Sequence, residues 1–466
     1  MKYISTRGDS GRVGFLDALL AGLASDGGLF VPESWPKLSE DEIADFAGRP
    51  YAEVARRVMQ PFVGDDISED DFAEIVENAY AGFDHHSVAP LVQLGANDWL
   101  MELFRGPTFA FKDVALQLLG GLFEYALKER DRHVTIIGAT SGDTGSAAIE
   151  AIRGKDRARV VILHPMGRTS DIQRKQMTTV QDANVLNIAV EGTFDDCQAL
   201  VKAMFADKPF AQEVGMSGVN SINWARIMAQ VVYYFTSAVA LGAPYRPVSF
   251  SVPTGNFGDI FAGYVAGEMG LPIDRLMIAT NRNDILARTL HGGRYEVAGV
   301  SPTVSPSMDI QVSSNFERLL FDATGRDSGA VRAMMEGLRQ AGAFTLPEAA
   351  HSHISEIFDA EKVEEDETLS TIEKVFNDTG IIIDPHTAVG VAAAMRNRMD
   401  PQTPWVTLAT AHPAKFPAAV EQALGFEPPL PDRLAAVLEG EERFDNLAND
   451  ITVIEDRVRT FVEATA

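Results

Sequence analysis

The feature that most constrains the fold is a repeated order of apolar strand, glycine-rich turn and helix. His133–Gly138 (HVTIIG) is a short apolar run that is followed by the turn ATSGDTG and the helical pattern SAAIEAIRG. The same order returns at Val248–Val252 (VSFSV), which precedes PTGNFGD and IFAGYVAGEMG. Further strand-like runs are Arg159–His164, Val185–Val190, Leu276–Thr280 and Trp405–Ala409. Strands that alternate with helices favour βαβ units and a parallel sheet, so the predicted fold class is α/β.

The length of 466 residues is enough for two or three domains. Residues 15–92 have mainly helical spacing, with acidic and apolar residues three and four positions apart. We therefore predict a mainly helical, accessory N-terminal domain over residues 1–92. The βαβ pattern predicts two α/β domains after it. The smaller covers residues 93–225 with the SGDTG turn, and the larger covers residues 226–466 with the GNFG turn and C-terminal helices.

Composition excludes several classes of function. The formal net charge of -26 repels polyanions, so nucleic-acid binding is not expected. The single cysteine, Cys197, forbids an internal disulfide and disfavours a cysteine metal site, and no metal site is predicted. The N-terminus lacks the layout of a signal peptide, and the apolar run 227–244 is interrupted by polar residues. We expect a soluble, cytoplasmic protein with no membrane partner, in which that run is a buried helix.

Lys112 is the first candidate for chemistry, in the segment FRGPTFAFKD. A lysine in apolar surroundings loses hydration of its charged form, and the neutral amine can form a Schiff base. Lysines are seldom buried, however, so the pattern alone favours a surface lysine at the start of the helix that follows.

Two glycine-rich turns, 139–145 and 253–259, are candidate anion sites. Each follows a strand and opens a helix, where free backbone N–H groups and the helix dipole attract carboxylates and phosphates. In the first turn, Thr140, Ser141 and Thr144 add hydroxyl groups. The second has neither the Walker nor the dinucleotide-binding spacing, which disfavours a nucleotide-binding α/β protein. For either turn alone, simple helix capping remains an equal or better interpretation.

Thr410 and His412 follow the strand-like run WVTLA, at the strand end where open α/β sheets bind ligands. Taken separately, His412 is more often an ordinary loop histidine. Two anion-binding turns, a lysine able to form a Schiff base and a strand-end hydroxyl together suit pyridoxal phosphate (PLP) and an anionic amino acid. Spacing alone does not identify the cofactor.

A series of motifs resembles the threonine synthase family, in its longer bacterial and fungal form. The resemblance extends from about Tyr3 to about Val420 and rests on TRG…ALLAGLASDGGLFVPE, FRGPTFAFKD, ATSGDTG, NSINWARIMAQVVYYF, PTGNFGD, SSNFER, DPHTA and ATAHPAKF. It implies a fold type II PLP enzyme, similar to the tryptophan synthase β subunit, in which two open α/β domains hold the cofactor in the cleft between them.

The resemblance also implies roles for individual residues. Lys112 takes the position of the lysine that carries PLP. The cofactor's phosphate would be bound by Gly255, Asn256, Phe257 and Gly258, and its ring nitrogen would face Thr410. The substrate carboxylate would be bound by Thr140, Ser141, Gly142, Asp143 and Thr144. The candidates for the substrate phosphate are Asn315, Arg318, Lys415 and Arg105.

The implied reaction converts O-phospho-L-homoserine and water into L-threonine and phosphate by β,γ-elimination and replacement. Two rivals remain: a serine/threonine dehydratase-like lyase, which acts on a leaving group at Cβ, and a PLP-binding homologue without activity. The N-terminal segment disfavours the first and the intact SGDTG and AKF motifs disfavour the second. We expect a monomer or small homo-oligomer whose partner is its small-molecule substrate.

Overall fold

The computed structural model describes residues 1–140, 142–218, 221–398 and 400–465. All six predicted strand runs are strands, and Val185–Val190 and Trp405–Ala409 have the predicted bounds. The apolar run 227–244 falls mostly within a buried helix, Trp224–Ala240, as predicted. Among the described residues, no helix combines the length and apolar character needed to span a bilayer.

The strands, in chain order, are β1 (Tyr3–Ser5), β2 (Phe30–Pro32), β3 (Leu91–Gln93), β4 (Asp98–Glu102), β5 (Val134–Ala139), β6 (Ala158–Pro165), β7 (Val185–Val190), β8 (Met216–Ser217), β9 (Val248–Pro253), β10 (Ile273–Thr280), β11 (Arg294–Glu296), β12 (Ala343–Thr345), β13 (Phe358–Lys362), β14 (Trp405–Ala409) and β15 (Asp445–Leu447).

The helices are α1 (Phe15–Ala21), α2 (Glu40–Ala44), α3 (Tyr51–Val63), α4 (Glu69–Tyr80), α5 (Lys112–Glu129), α6 (Asp143–Ile152), α7 (Asp171–Thr178), α8 (Phe194–Ala206), α9 (Lys208–Glu213), α10 (Trp224–Ala240), α11 (Gly258–Glu268), α12 (Ile285–Gly292), α13 (Phe316–Ala323), α14 (Ser328–Ala341), α15 (Glu348–Ile357), α16 (Glu365–Thr379), α17 (Pro385–Asn397), α18 (Pro417–Leu424), α19 (Asp432–Leu438) and α20 (Ile451–Ala464). Short 3-10 helices lie at Gly64–Asp66, Pro306–Met308 and Pro413–Lys415.

Two compact units divide the chain. The larger contains residues 1–77, 83–105 and 221–428, and the smaller contains the described residues among 78–82, 106–220 and 429–466. The described strands of the larger unit include a six-stranded sheet in the order β13-β10-β9-β14-β4-β3, in which only β3 runs antiparallel to its neighbour. Strands β9 and β14 are buried along their whole length, as are the last five residues of β10, which is expected for central strands of a sheet that is covered on both faces.

The smaller unit has a parallel sheet in the order β15-β7-β6-β5-β8. One face packs on α8 and α20 through an apolar cluster that includes Val161, Ile188, Cys197, Ile454 and Val458. The only cysteine of the chain is therefore a fully buried core residue.

This division differs from the predicted domain boundaries at strand β4, at the C-terminus and in the N-terminal segment. Strand β4 falls in the predicted second domain, but it hydrogen-bonds to β14 and belongs to the larger unit. The C-terminal residues 429–465 fall in the predicted third domain, but β15 pairs with β7 and α20 covers the smaller sheet. The differences at β4 and at the C-terminus arise because these pairings join segments that are far apart in sequence, and local patterns carry no information about them.

The N-terminal segment does not form a separate unit. Tyr3 and Phe62 pack against Trp224 at the start of α10, with ring centroids 6.0 and 5.5 Å away. The Asn223 side chain donates to the carbonyl of Leu19 at 2.9 Å. Burial of these aromatic rings joins the helices before residue 78 to the larger unit.

Candidate active site

Lys112 begins α5 in the smaller unit, and its side chain is only 11% exposed. Its Nζ lies 3.6 Å from Oδ2 of Asp143 and 4.9 Å from the centre of the Phe111 ring. Helices α5 and α6 approach closely at Gly120, where an added Cβ would be 2.2 Å from the carbonyl oxygen of Ala151. Lys112 is thus mostly buried beside an acid, and the surface-lysine interpretation is wrong.

The turn before Lys112 is clamped by Asp113. The backbone N–H and the hydroxyl of Thr108 each donate to this buried carboxylate at 2.7 Å. A Cβ at Gly106 would lie 2.4 Å from the Cβ of Asp113, so glycine is required for this approach. From α7, Gln176 donates to the carbonyl of Thr108 at 3.1 Å. These contacts fix the backbone from which Lys112 projects.

The first glycine-rich turn leads from β5 to α6, as predicted. The Thr140 hydroxyl oxygen accepts hydrogen bonds from the N–H groups of Gly142 and Gly145, at 2.9 and 3.0 Å. Thr140 therefore shapes the turn, and Thr144 is half-buried in the first turn of α6. Ser141 lies outside the described residues. The start of α6 is a helix N-terminus, and its positive dipole end is suited to a carboxylate.

In the larger unit, the second glycine-rich turn leads from β9 to α11. Phe257 adopts a left-handed conformation (φ 64°), and its ring packs edge-on against Phe316 with centroids 5.2 Å apart. The carbonyl of Asn256 accepts from the backbone and side-chain N–H groups of Asn315, both at 3.0 Å. The first N–H groups of α11 have no intrahelical acceptor. Such a helix start suits a phosphate group.

Close approach also explains the two glycines of this turn. A Cβ at Gly255 would lie 3.0 Å from the carbonyl oxygen of Ser307, and one at Gly258 would lie 3.3 Å from Nδ2 of Asn315. Both distances are tighter than ordinary packing. Contacts within the larger unit therefore determine the shape of this turn.

Thr410 lies directly after β14, the strand next to β9, and is buried. The carboxyl ends of these parallel strands share one edge of the sheet, so the Thr410 hydroxyl and the 254–257 turn lie at the same edge. His412 is mostly buried nearby. Burial, with the positive charges of Arg105 and Lys415, lowers the pKa of His412 to about 4, so its ring is neutral at pH 7.

Lys415 is 1% exposed in the 3-10 helix that follows. The His412 ring starts this helix, since its Nδ1 accepts from the N–H of Ala414 at 3.1 Å. Arg105, in contrast, is half-exposed and pairs with Glu102 and with Asp84. Lys415 and Arg318 are the buried cations among the candidates for the substrate phosphate, whereas Arg105 is half-exposed.

Arg318 and Asn315 are placed differently from the prediction. Arg318 is fully buried, and its guanidinium donates to the carbonyl of Phe30 at 3.0 Å, to the carbonyl of Ile222 and to the side chain of Asn315. Burial lowers its pKa to about 9. Asn315 in turn holds the carbonyl of Asn256. These contacts favour structural roles for both residues over the predicted contact with the substrate phosphate.

The residues present fit PLP. The cofactor needs an amine for its aldehyde, backbone N–H groups for its phosphate and a partner for its ring nitrogen. The smaller unit offers the buried amine of Lys112. The larger unit offers the start of α11 and the buried Thr410 hydroxyl. Among the described residues, no three His, Cys, Asp or Glu side chains converge as metal ligands.

Sequence reasoning missed three features of the smaller unit: the pairing of Asp143 with Lys112, the clamp at Asp113, and Gln173 of α7, which donates to Asp143 at 2.9 Å. Asp143 was predicted only as a substrate contact. A signal for Asp113 was present, because it adjoins Lys112 in the motif FKD. No local pattern marks Gln173.

Comparison with known proteins extends over nearly the whole chain. Residues 2–80 match the family model for the threonine synthase N terminus, residues 84–353 that for pyridoxal-phosphate dependent enzymes, and residues 387–458 that for the threonine synthase C-terminal region. Threonine synthase of Pseudomonas aeruginosa is 53% identical, over 98% of this chain and 97% of that protein. Human threonine synthase-like 2 is 37% identical, over 95% and 93% of the two chains.

Solved structures agree with these matches. The PLP-bound threonine synthase of Brucella melitensis aligns with a TM-score of 0.98 and 55% identity, covering 99% of both chains. The resemblance inferred from motifs and the predicted fold type II architecture are therefore confirmed, and PLP is the cofactor of the family. The chain belongs to the threonine synthase family of pyridoxal-phosphate-dependent enzymes.

Proposed function

We propose that this chain converts O-phospho-L-homoserine and water into L-threonine and inorganic phosphate. The observation that carries the proposal is the buried lysine of the family motif, Lys112, held 3.6 Å from a carboxylate at the start of α6. A buried amine beside an acid is suited to accept and return protons.

The cofactor would be held by Lys112, by the backbone of Gly255–Gly258 and by the Thr410 hydroxyl. Bound PLP supplies an electron sink for negative charge that develops at the substrate Cα. The Thr410 hydroxyl would hydrogen-bond the ring nitrogen, and unlike a carboxylate it would not keep that nitrogen protonated.

Lys112 is the residue assigned to proton transfer. Its amine would remove the proton from Cα, and its ammonium form would return a proton to carbon after phosphate leaves Cγ and water adds at Cβ. The N–H groups at the start of α6 would orient the substrate carboxylate, with Gly142 and Thr144 in that turn. Lys415 is a candidate for the substrate phosphate, because a buried cation gains more from an anion than an exposed one.

The proposal is tested by incubating the purified holoenzyme with O-phospho-L-homoserine and measuring phosphate and threonine together. Equal amounts of both products are expected. Phosphate with 2-oxobutanoate in place of threonine would identify a lyase that loses its intermediate before water adds. Neither product, with the visible absorbance of bound cofactor present, would favour a different substrate or the homologue without activity.

We further infer that the enzyme acts in the cytoplasm, as a monomer or small homo-oligomer, without a nucleic-acid partner. The net charge of -26 supports the last point. Size measurement of the holoenzyme by light scattering tests the oligomeric state.

A further inference from the structure

Helix α7 in the smaller unit braces the turn that carries Asp143. The Gln173 side chain projects from its first turn, and Nε2 donates to Oδ1 of Asp143 at 2.9 Å. The other carboxylate oxygen, Oδ2, is the one that faces Nζ of Lys112 at 3.6 Å. One oxygen of Asp143 is therefore held by a neutral donor and the other is directed to the reactive lysine.

The orientation of the Gln173 amide is set by Ser170. The Ser170 hydroxyl caps α7 by accepting from the backbone N–H of Gln173 at 3.3 Å, and it donates to Oε1 of the same residue at 3.1 Å. Since Oε1 accepts this bond, Nε2 is the end of the amide that is turned to Asp143. The cap of the helix and the direction of the amide depend on the same serine.

Gly142 provides independent evidence that this turn is built around the amide. A Cβ at position 142 would lie 2.4 Å from Cδ of Gln173 and 2.7 Å from its Nε2. Any other residue would displace the glutamine. The glycine next to Asp143 therefore makes room for the group that holds the Asp143 carboxylate.

The other charged side chains on the surrounding helices have different partners. On α7, Arg174 pairs with Asp171 and with Glu442, and Lys175 donates to the carbonyl of Leu438. On α5, Asp113 accepts from Thr108. Lys112 is the cation that the structure places beside Asp143.

We propose that Gln173 is a positioning residue that fixes the Asp143 carboxylate, so that one of its oxygens faces the nitrogen of Lys112. The inference rests on the role of Lys112 in the proposed function. A carboxylate at this distance stabilises a proton on the lysine nitrogen. Loss of the Gln173 amide frees the carboxylate to turn away, and proton transfer at that nitrogen loses its partner.

The test compares Gln173→Met, which keeps the side-chain length but removes the donor, with Gln181→Met. Gln181 is exposed in the same unit and donates to the carbonyl of Glu441, so it is a matched control. In the Gln173→Met holoenzyme, kcat is expected to fall roughly tenfold to a hundredfold, while KM changes by less than about threefold. The midpoint of the pH titration of the visible cofactor absorbance is expected to move to lower pH, and Gln181→Met to leave both unchanged.

The Asp143→Asn background separates positioning from a general structural effect. If Gln173 acts through the carboxylate, Gln173→Met adds little to the loss already caused by Asp143→Asn. Equal losses in both backgrounds would overturn the proposal, as would an unchanged absorbance titration in Gln173→Met. If Gln173→Met does not fold, Ser170→Ala replaces it, with a smaller shift expected in the same direction and no shift overturning the proposal.

The absorbance titration requires no substrate, so it distinguishes the two proposals. A shifted midpoint in an enzyme that releases no threonine would retain the role of Gln173 and reject the proposed reaction. An unshifted midpoint in an enzyme that makes threonine would reject the role of Gln173 and retain the proposed reaction.

Discussion

The smaller and larger units hold their site residues in different ways. In the smaller unit, Lys112 and Asp143 are positioned by hydrogen bonds between side chains, from Gln173 and around Asp113. In the larger unit, the 254–257 turn is shaped by its backbone, with Phe257 left-handed and the Asn256 carbonyl held by Asn315. The comparison suggests that the smaller unit controls reactivity and that the larger unit provides a preformed binding surface. Substitutions in the two should therefore have different effects.

The largest effect is expected at Lys112. Lys112→Ala removes the group assigned to both cofactor attachment and proton transfer, so turnover should fall at least about a thousandfold. The visible absorbance of bound cofactor should disappear as well. Parallel assays of threonine release and absorbance check both points. Turnover that survives in this variant would place the reactive amine elsewhere and remove the basis of the comparison.

A substitution at Arg318 tests whether this buried residue of the larger unit stabilises the fold or binds the substrate phosphate. Arg318→Met removes the hydrogen bonds from the guanidinium to the carbonyls of Phe30 and Ile222, which should lower the free energy of unfolding by roughly 3–5 kcal/mol. Arg339→Met, on the exposed face of α14, should change it by less than about 0.5 kcal/mol. Urea unfolding of both variants gives the answer. A stable Arg318→Met enzyme with a raised KM would restore the predicted contact with the substrate phosphate.

Asp259, in the first turn of α11, makes the stability of the larger unit depend on pH. Burial raises the pKa of this carboxyl from 3.8 to about 7. The folded state thus binds the proton more tightly than the unfolded state, and the contribution of Asp259 to stability declines as pH rises from about 4 to about 7. Tyr233 and Tyr234 both donate to its Oδ1, and Oδ2 has no hydrogen-bond partner among the described residues.

Asp259→Asn should remove this dependence. Relative to the variant, the unsubstituted protein should lose roughly 2–3 kcal/mol of unfolding free energy between about pH 5 and about pH 8. The comparison uses urea unfolding of both proteins in the same cofactor-bound form. If the free energy of unfolding depends on pH in the same way in both proteins, Asp259 is ionised in the folded state across this range.

The smallest effect is expected at Thr410, because a hydroxyl contributes one hydrogen bond at a preformed edge. Thr410→Ala should lower kcat by about tenfold while cofactor occupancy remains close to complete. Thr410→Ser, which keeps the hydroxyl, is the matched control. If the Thr410→Ala protein purifies without cofactor, the Thr410 hydroxyl contributes to cofactor binding rather than to kcat.

Local sequence patterns predicted six of the strands and the two turns, because each depends on neighbouring residues. The pattern around Lys112 favoured a surface lysine, and the role of this residue followed only from the resemblance. Local patterns did not predict the sheet to which β4 and β15 belong, since those pairings join distant segments. They did not predict the partners of Arg318, which include backbone carbonyls that leave no trace in sequence. The contact of Gln173 with Asp143 likewise forms only when α7 packs beside α6.

The central claim, that Lys112 is the reactive amine of a pyridoxal-phosphate enzyme, is tested most directly by borohydride reduction of the holoenzyme. Peptide mass spectrometry then locates the phosphopyridoxyl group. The account predicts that the group is on the peptide containing Lys112, and that Lys112→Ala carries none. A label on any other lysine, or no label on a protein with bound cofactor, would contradict it.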